Sequence, residues 1–181
     1  MGTGDGKAVL RRARREPATL VIGLDAAAEP LAETSRRAAR PARRGGIPNA
    51  LFLVAGAESL PGPLRERAHE ATVSLPWGSL LRGLVLPEPA VLEAVAGVLR
   101  PGGRLELLLS VTTADVSAGL PVLDGRSSLR LADAYASAGL ECLDLRSARS
   151  EDVERLSSSW ARRLGIPERR AAWLMSFEKC A

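Results

Sequence analysis

The order of apolar and helix-length segments limits the fold more than any other feature of this chain. Apolar runs of Val, Leu and Ile alternate with amphipathic segments almost from one end to the other. Helices are predicted at 6–15, 29–39, 88–99, 127–138 and 152–164, and strands at 19–25, 50–55, 71–75, 104–111, 140–145 and 171–177. Continuous apolar strands separated by helices are typical of a parallel sheet that helices cover on both faces. The sequence therefore predicts an α/β, Rossmann-like fold with a mostly parallel sheet.

Length and composition exclude several classes of protein. The 181 residues are 46% hydrophobic and 25% charged, which suits one globular domain over residues 1–181. No apolar run approaches the roughly 20 residues of a membrane span, and no secretory signal pattern opens the chain. With only Cys142 and Cys180, a disulfide framework is excluded, and a reducing cytoplasm is the expected location. The single histidine, His69, argues against a His-rich metal site and against a Ser-His-Asp triad.

The basic residues are almost all arginines. Lys7 and Lys179 are the only lysines among 25 basic residues, and the formal net charge is +4. Arginine forms paired hydrogen bonds with phosphates and stacks on bases, so this composition suits a nucleic-acid partner. Codon usage in a GC-rich genome explains the same composition, and charge alone leaves both explanations open.

A glycine-rich loop, Gly2-Thr3-Gly4-Asp5-Gly6, opens the chain. Such a loop normally follows a buried central strand, yet only Met1 precedes it, so we expect the chain to lack that first strand. Asp25 ends the next predicted strand, where a carboxylate can accept hydrogen bonds from both ribose hydroxyls. Together they predict a nucleoside-type cofactor, whereas a frayed terminal tail is the alternative for the loop alone.

Two acidic residues favour S-adenosylmethionine over a dinucleotide. Asp5 adds negative charge where a pyrophosphate would bind, whereas a sulfonium is favoured near carboxylates. Ala57 and Glu58 follow the strand at 50–55, where an adenine ring would lie. The alternative for Glu58 is an ordinary acidic residue at a helix start.

Two tryptophans occupy informative positions. Trp77 directly follows a predicted strand, where active-site loops are found in α/β proteins, although it could equally anchor its loop to the sheet. Trp160 shares helical spacing with Val153, Leu156 and Leu164, and spacing alone predicts a core residue there.

Six segments, in order, resemble one family. They are GTGDGK (2–7), GLD (23–25), PARRGGIPN (41–49), AESLP (57–61), PWGSLL (76–81) and SWARRL (159–164). The chain resembles the aminoglycoside-resistance 16S rRNA adenine-N1 methyltransferases of the KamB and NpmA type, which modify adenine 1408 in the assembled small ribosomal subunit. The glycine loop is common to all class I methyltransferases, whereas the Pro-Trp-Gly and Trp-x-x-Arg-Leu motifs are specific. The resemblance extends from Met1 to the last strand.

The resemblance implies a role for each of these residues. S-adenosylmethionine would be held by Gly2, Thr3, Gly4, Asp5, Gly6, Asp25, Ala57 and Glu58. Trp77 and Trp160 would hold the flipped adenine between them, with Ser79 beside it. Contacts with rRNA would come from Arg40, Arg43, Arg44, Arg163 and Arg170. The family also has an N-terminal hairpin and a first strand ending in Asp, which this sequence lacks. The protein is expected to act as a monomer without a metal.

Methylation at adenine N1 suits these residues, because N1 carries a lone pair at neutral pH and needs no general base. The base must instead be flipped out of its stack and held. Two alternatives stay open: a class I methyltransferase acting on a small molecule, and an inactive truncated remnant that binds rRNA. A NAD-linked oxidoreductase is disfavoured, since Tyr135 is the only tyrosine and no His or Tyr-Lys acid is evident.

Overall fold

A computed structural model describes residues 1–156 and 164–181. Its helices are α1 (Lys7–Arg15), α2 (Ala28–Ala38), α3 (Gly78–Val85), α4 (Pro89–Gly97), α5 (Thr113–Ser117), α6 (Gly125–Ala136) and α7 (Ser150–Arg155). Its strands are β1 (Val21–Asp25), β2 (Ala50–Val54), β3 (Ala68–Ser74), β4 (Leu99–Leu109), β5 (Leu140–Ser147) and β6 (Trp173–Lys179). Three short 3-10 turns lie at 42–44, 57–59 and 62–64.

The first half of the chain forms a two-stranded parallel unit. Strands β1 and β2 pair in register from Val21 opposite Ala50 to Asp25 opposite Val54. One face is covered by α1 and α2, whose apolar stripes meet in a small core of Leu10, Ala13, Ala38 and Ile47. Each of these amphipathic helices has one apolar stripe, and it buries that stripe against the short apolar strands.

The second half forms a four-stranded sheet in the order β3-β4-β6-β5. Strands β3 and β4 are parallel, whereas β6 runs antiparallel to both β4 and β5. The main core packs between this sheet and α3, α4 and α6. At its centre, the buried rings of Tyr135 and Phe177 stack 4.8 Å apart, and the Tyr135 hydroxyl donates to the carbonyl of Leu84 at 3.1 Å. Ring stacking and this hydrogen bond together allow Phe177 of β6 and Tyr135 of α6 to be buried side by side.

The predicted α/β fold is confirmed, with three local differences. The sheet is mixed, because β6 returns antiparallel although α7 lies between it and β5. The strand predicted from residue 104 begins at Leu99, and its added first residues pair irregularly with β3. A Cβ at Gly103 would lie 2.9 Å from the Ala68 carbonyl, so only glycine allows the two strands to approach there. Helix α3 was not predicted.

A narrow junction joins the two sheets. The first residues of the chain lie between β1 and β3: the Thr3 amide donates to the Leu24 carbonyl at 3.1 Å, and the Met1 amine donates to the Thr72 carbonyl at 2.6 Å. Arg12 on α1 reaches across and forms two hydrogen bonds with Glu70 on β3, at 2.7 and 2.8 Å. These contacts connect the unit of β1 and β2 to the four-stranded sheet.

Candidate active site

The glycine loop crosses the carboxyl end of β1 in a left-handed conformation. Gly2, Gly4 and Gly6 have φ angles of 65°, 53° and 68°, which side chains rarely adopt. A Cβ at Gly6 would lie 2.6 Å from the Phe52 ring, whereas no atom lies within 4 Å of the corresponding position at Gly4. The loop is thus closely packed against the sheet at one end and open above Gly4, where a ligand can approach the backbone.

Asp25 fixes the glycine loop to the strand end. Its carboxylate accepts from the Gly4 amide at 2.7 Å and from the Ala27 amide at 3.0 Å, one bond to each oxygen. Each oxygen keeps a second lone pair, because a carboxylate oxygen can accept two hydrogen bonds. The side chain therefore holds the loop and can still accept from a ribose hydroxyl.

Asp5 is turned towards a neighbouring cation. Its carboxylate accepts from the Lys7 amide at 3.1 Å and pairs with the Lys7 ammonium at 2.9 Å. Partial burial opposes ionisation, but the hydrogen bonds and charges of Lys7 and Arg11 prevail and lower the pKa of Asp5 below its ordinary value. Asp5 is thus charged and partly compensated, so it exerts less electrostatic selection on a ligand than its sequence position suggests.

Ala57 and Glu58 lie in the 3-10 turn that follows β2. The Ala55 amide donates to the Asp25 carbonyl at 2.9 Å, which links this turn to the strand end that carries Asp25. Ala57 packs against the main core, and Glu58 folds back so closely that a Cβ at Gly56 would lie 2.8 Å from its Oε2 atom. The open glycine loop, the free lone pairs of Asp25 and this small turn fit a nucleoside cofactor such as S-adenosylmethionine.

Trp77 has an exposed indole, while the backbone just before it is held by a buried neighbour. It precedes α3, and 84% of its surface is exposed. The neighbouring Leu75 is buried, donates its amide to the Leu108 carbonyl at 2.8 Å, and has a φ of 50°, which is rare for a residue with a side chain. Because Leu75 provides the attachment to the sheet, the exposed indole does not act as the loop anchor that the sequence left possible.

A cavity of about 170 Å³ opens beside Trp77. It is lined by Leu75, Pro76, Trp77, Leu81, Thr112, Asp115, Leu164 and Arg170. Helix α3 also touches the glycine loop, since a Cβ at Gly2 would lie 3.1 Å from the Leu80 methyl group. The structure therefore brings Trp77, Arg170 and the glycine loop into one region, while Ser79 is exposed on α3 and does not line the cavity.

Arg170 is held by a residue that sequence reasoning missed. Its Nε donates to the Ser110 hydroxyl at 2.7 Å, and its Nη2 donates to the Ser110 carbonyl at 3.3 Å. Across the cavity, Asp115 accepts from the hydroxyl and amide of Thr112 at 2.6 and 2.8 Å. These hydrogen bonds, with a smaller contribution from the charge of Arg170, lower the pKa of Asp115. Neither Ser110 nor Asp115 belongs to a sequence motif, so only the folded chain shows that they lie at the site.

The arginines at 40, 43 and 44 lie away from this cavity. They are exposed around the 3-10 turn that connects α2 to the start of β2, at the opposite edge of the sheet from Asp25. Among the ion pairs of the described residues, none involves these three arginines. Their charges are thus available to an external anion.

Two predicted site residues, Trp160 and Arg163, lie outside the described residues. The helix predicted at 152–164 is described only as α7 and by Leu164, which lines the cavity. Ion pairs fix α7: Asp152 bonds both Arg146 nitrogens at 2.7 and 2.8 Å, and Arg155 bonds Glu106. The chain therefore leaves a well-held helix just before residues 157–163 and rejoins the described structure at the cavity wall.

Membrane-spanning and metal-binding features are both absent from the described ranges, 1–156 and 164–181. No helix there has the length and apolar character needed to cross a bilayer. No group of three or more His, Cys, Asp or Glu side chains there is arranged to hold a metal ion.

The Rossmann-like α/β fold, the glycine loop and the acidic strand end define a class I, S-adenosylmethionine-dependent methyltransferase. Residues 1–179 match the family model of the NpmA 16S rRNA (adenine(1408)-N(1))-methyltransferases, and the chain belongs to this family. The enzyme of that name from Streptoalloteichus tenebrarius is 38% identical over 169 residues, which cover 91% of this chain and 78% of the relative.

Solved structures agree with this assignment. The W203A mutant of the 16S rRNA (adenine(1408)-N(1))-methyltransferase from Catenulisporales acidiphilia, solved with its cosubstrate SAM, superposes with a TM-score of 0.88 at 33% identity. The match covers 99% of this chain and 84% of that one. The aminoglycoside resistance methyltransferase NpmB1 superposes with a TM-score of 0.82 at 38% identity, covering 98% of this chain and 84% of that one.

Proposed function

We propose that this protein, as a single catalytic domain, transfers a methyl group from S-adenosylmethionine to N1 of adenine 1408 in 16S rRNA, and so gives aminoglycoside resistance. Its substrate is the assembled 30S subunit, which places the protein in the cytoplasm, and it works as a monomer without a metal. The observation that carries this proposal is the exposed indole of Trp77 beside a cavity at the start of α3, the helix whose Leu80 lies against Gly2 of the glycine loop.

The proposed reaction requires that adenine N1 and the methyl group be positioned correctly, and it requires no general base. Bound S-adenosylmethionine supplies an electrophilic methyl group on a sulfonium. Adenine N1 attacks through a lone pair that is already free, so the chain has to supply orientation at a separation of about 3 Å and no general base. Among residues 1–156 and 164–181, no histidine lines the cavity, and the proposed reaction needs none.

Trp77 and Trp160 hold the flipped adenine in this proposal. Extruding a base from its stack costs a few kcal/mol, and each aromatic stacking contact returns about 1–3 kcal/mol. The indole of Trp77 offers a full face, since it contacts so little of the protein. N1-methylated adenine is cationic, so an indole face also stabilises the charge that develops on the base.

The arginines and the cofactor residues complete the proposal. Arg40, Arg43 and Arg44 dock on rRNA phosphates from the far edge of the sheet, while Arg163 and Arg170 act near the flipped nucleotide. The cofactor is held by the glycines at 2, 4 and 6, Thr3, Asp5, Asp25, Ala57 and Glu58, and Ser79 acts beside the flipped base from an exposed position on α3. The unpaired exposed arginines and the free lone pairs on Asp25 support these roles.

Incubation of the purified protein with S-adenosylmethionine and 30S subunits tests this function. We expect a reverse-transcription stop at adenine 1408 in wild-type subunits and none in subunits carrying guanine at that position. Calorimetry with S-adenosylmethionine separates the alternatives. Cofactor binding without methylation of 30S subunits would favour a small-molecule substrate, and subunit binding without cofactor binding would identify an inactive rRNA-binding protein.

A further inference from the structure

We infer that Ser110 is a positioning residue that aims Arg170 into the cavity beside Trp77. This inference rests on the proposed function, because it assigns Arg170 a contact with the target nucleotide. It adds a residue that lies outside every motif of the sequence and that the cavity lining does not include.

Ser110 is built into the sheet end rather than exposed to the ligand. It directly follows β4, and only 2% of its surface is exposed. Its hydroxyl donates to the Ala171 carbonyl at 2.6 Å, so its proton is committed and a lone pair is left for the Arg170 Nε–H at 2.7 Å. The Ala171 carbonyl therefore orients the Ser110 hydroxyl, and the hydroxyl in turn orients the Arg170 side chain.

Among the described residues, Ser110 is the only hydrogen-bond partner of the Arg170 guanidinium. A guanidinium carries five N–H groups, and Ser110 engages one on Nε and one on Nη2. The remaining three can form a paired contact with a phosphate, the geometry for which arginine is suited. An unrestrained arginine would lose side-chain entropy on binding, and Ser110 removes part of that loss in advance.

Only a small hydroxyl residue can provide both contacts here. Alanine neither donates to the Ala171 carbonyl nor accepts from the Arg170 Nε–H, so it makes neither of these side-chain hydrogen bonds. Asp115 on the opposite wall attracts the guanidinium electrostatically but makes no hydrogen bond to it in the described structure. Without the Ser110 hydroxyl, Arg170 keeps only the 3.3 Å bond from its Nη2 to the Ser110 backbone carbonyl, so its side chain is less restrained against moving towards Asp115 and away from the nucleotide.

A double-mutant cycle tests the inference. Kinetics of 30S methylation would be measured for wild type, Ser110→Ala, Arg170→Ala and the double variant, with Ser128→Ala as the matched control. Ser128 is also fully buried, but its hydroxyl contacts no polar partner in the described structure and lies in α6. We expect Ser110→Ala to lower kcat/KM about tenfold, as for loss of a hydrogen bond to a charged group. The double variant should match Arg170→Ala within about twofold.

A second readout does not depend on activity. The Arg170 Nε–H resonance should be visible and slow to exchange in wild-type protein and in Ser128→Ala, and absent in Ser110→Ala. Additive effects in the cycle, or an unchanged Nε–H resonance in Ser110→Ala, would overturn the inference. Failure of wild-type protein to methylate 30S subunits would instead overturn the proposed function, so the two failures are distinguishable.

Discussion

In the segment before α3, Leu75 attaches the backbone to the sheet, whereas Trp77 exposes its indole to solvent. Leu75 is 6% exposed and accepts an unusual φ of 50° to stay in the core, which costs of order 1 kcal/mol. The buried Pro76 then restricts the backbone before Trp77. The backbone of Trp77 is therefore held by its neighbours, while its indole stays exposed.

This division predicts the effect of replacing the indole. Trp77→Ala should lower methylation of 30S subunits by about 5- to 150-fold, since one stacking contact contributes roughly 1–3 kcal/mol. Trp77→Phe should keep part of the activity, because a smaller ring still stacks. The measurement is primer extension across adenine 1408 as a function of time.

Thermal melting of the same variants separates stacking from folding. Because Trp77 is largely exposed, both substitutions should leave the free energy of unfolding within about 0.5 kcal/mol of wild type. Leu129→Ala, at an exposed apolar position on α6, is the matched control and should change neither activity nor stability. A large loss of stability in Trp77→Ala would return the indole to a structural role.

At this scale the sequence is informative only where a motif exists. Trp77, Asp25 and the glycine loop can be singled out because their order along the chain carries a pattern. Ser110 and Asp115 cannot, since their importance arises when β4, α5 and the segment before β6 converge. Asp5 shows the opposite case: its position is informative, but its pairing with Lys7 is a local detail that only the folded chain reveals.

Among the elements, α7 is held by charges rather than by a large apolar face. Asp152 is 4% exposed, yet it accepts two hydrogen bonds from Arg146 and one from the Arg149 amide at 2.8 Å. The bonds from Arg146 are the main reason that the pKa of Asp152 falls from 3.8 to about 2, although burial opposes the shift. The helix start is thus stable only while this carboxylate is ionised.

The sign of this linkage gives a pH prediction. In the unfolded chain Asp152 takes up a proton near its ordinary pKa, and in the folded chain only near pH 2, so its contribution is complete above about pH 4 and disappears as the pH falls towards 2. Asp152→Asn should therefore lower stability by roughly 2 kcal/mol at neutral pH and flatten this part of the acid limb. Urea unfolding between pH 2 and 7 measures both effects.

Asp144→Asn is the control for that experiment. Asp144 bonds the same Arg146 at 3.0 Å but is largely exposed, and its removal leaves the Arg146–Asp152 contacts intact. This variant should keep the acid limb of wild type. Equal flattening in both variants would mean that α7 does not depend on the buried carboxylate.

Some helices and strands can be predicted from the sequence and others cannot, and the difference has physical reasons. Strands β1 and β2 are predicted by their continuous apolar runs, although no residue of β2 is buried in the structure. Helix α3 was missed although Leu80, Leu81 and Leu84 have helical spacing, because the preceding proline and glycine indicated a loop. The antiparallel direction of β6 cannot be predicted from its own sequence, because it is set by pairing with β4 and β5.

Over the whole molecule, charge is distributed unevenly along the chain. From Thr34 to Ala57 there are five arginines and no acidic residue, and the arginines lie on the C-terminal part of α2 and the turn after it. Elsewhere, several acidic residues pair with arginines, as in Arg12–Glu70 and Arg155–Glu106. A net charge of +4 thus understates the local field at this end of the protein.

Reversing that field should weaken subunit binding in a salt-dependent way. Arg43→Glu with Arg44→Glu should lower the affinity for 30S subunits and reduce the slope of log K against log salt by about one unit for each phosphate that the variant no longer neutralises. Affinity for S-adenosylmethionine should be unchanged, because Asp25 lies at the opposite edge of the sheet. Filter binding at several salt concentrations is the measurement.

A charge-matched variant on another surface controls for net charge. Arg126→Glu with Arg130→Glu makes the same change on exposed positions of α6. We expect this pair to keep nearly the wild-type salt slope. Identical slopes for the two double variants would show that overall charge, and not the surface after α2, determines the electrostatic attraction.

The narrow junction between β1 and β3 has a consequence for how the protein melts. Each sheet has its own core, and between them lie residues 1–3, the Arg12–Glu70 pair and the turn at 57–59, whose Ala57 packs against the main core. Unfolding should therefore lose cooperativity, with the small unit of β1, β2, α1 and α2 opening at a lower temperature than the four-stranded sheet. Differential scanning calorimetry should resolve two transitions, and Arg12→Ala should separate them further. S-adenosylmethionine should stabilise the unit that opens first by about 2.7 kcal/mol at one hundred times its dissociation constant, because its binding residues are concentrated there.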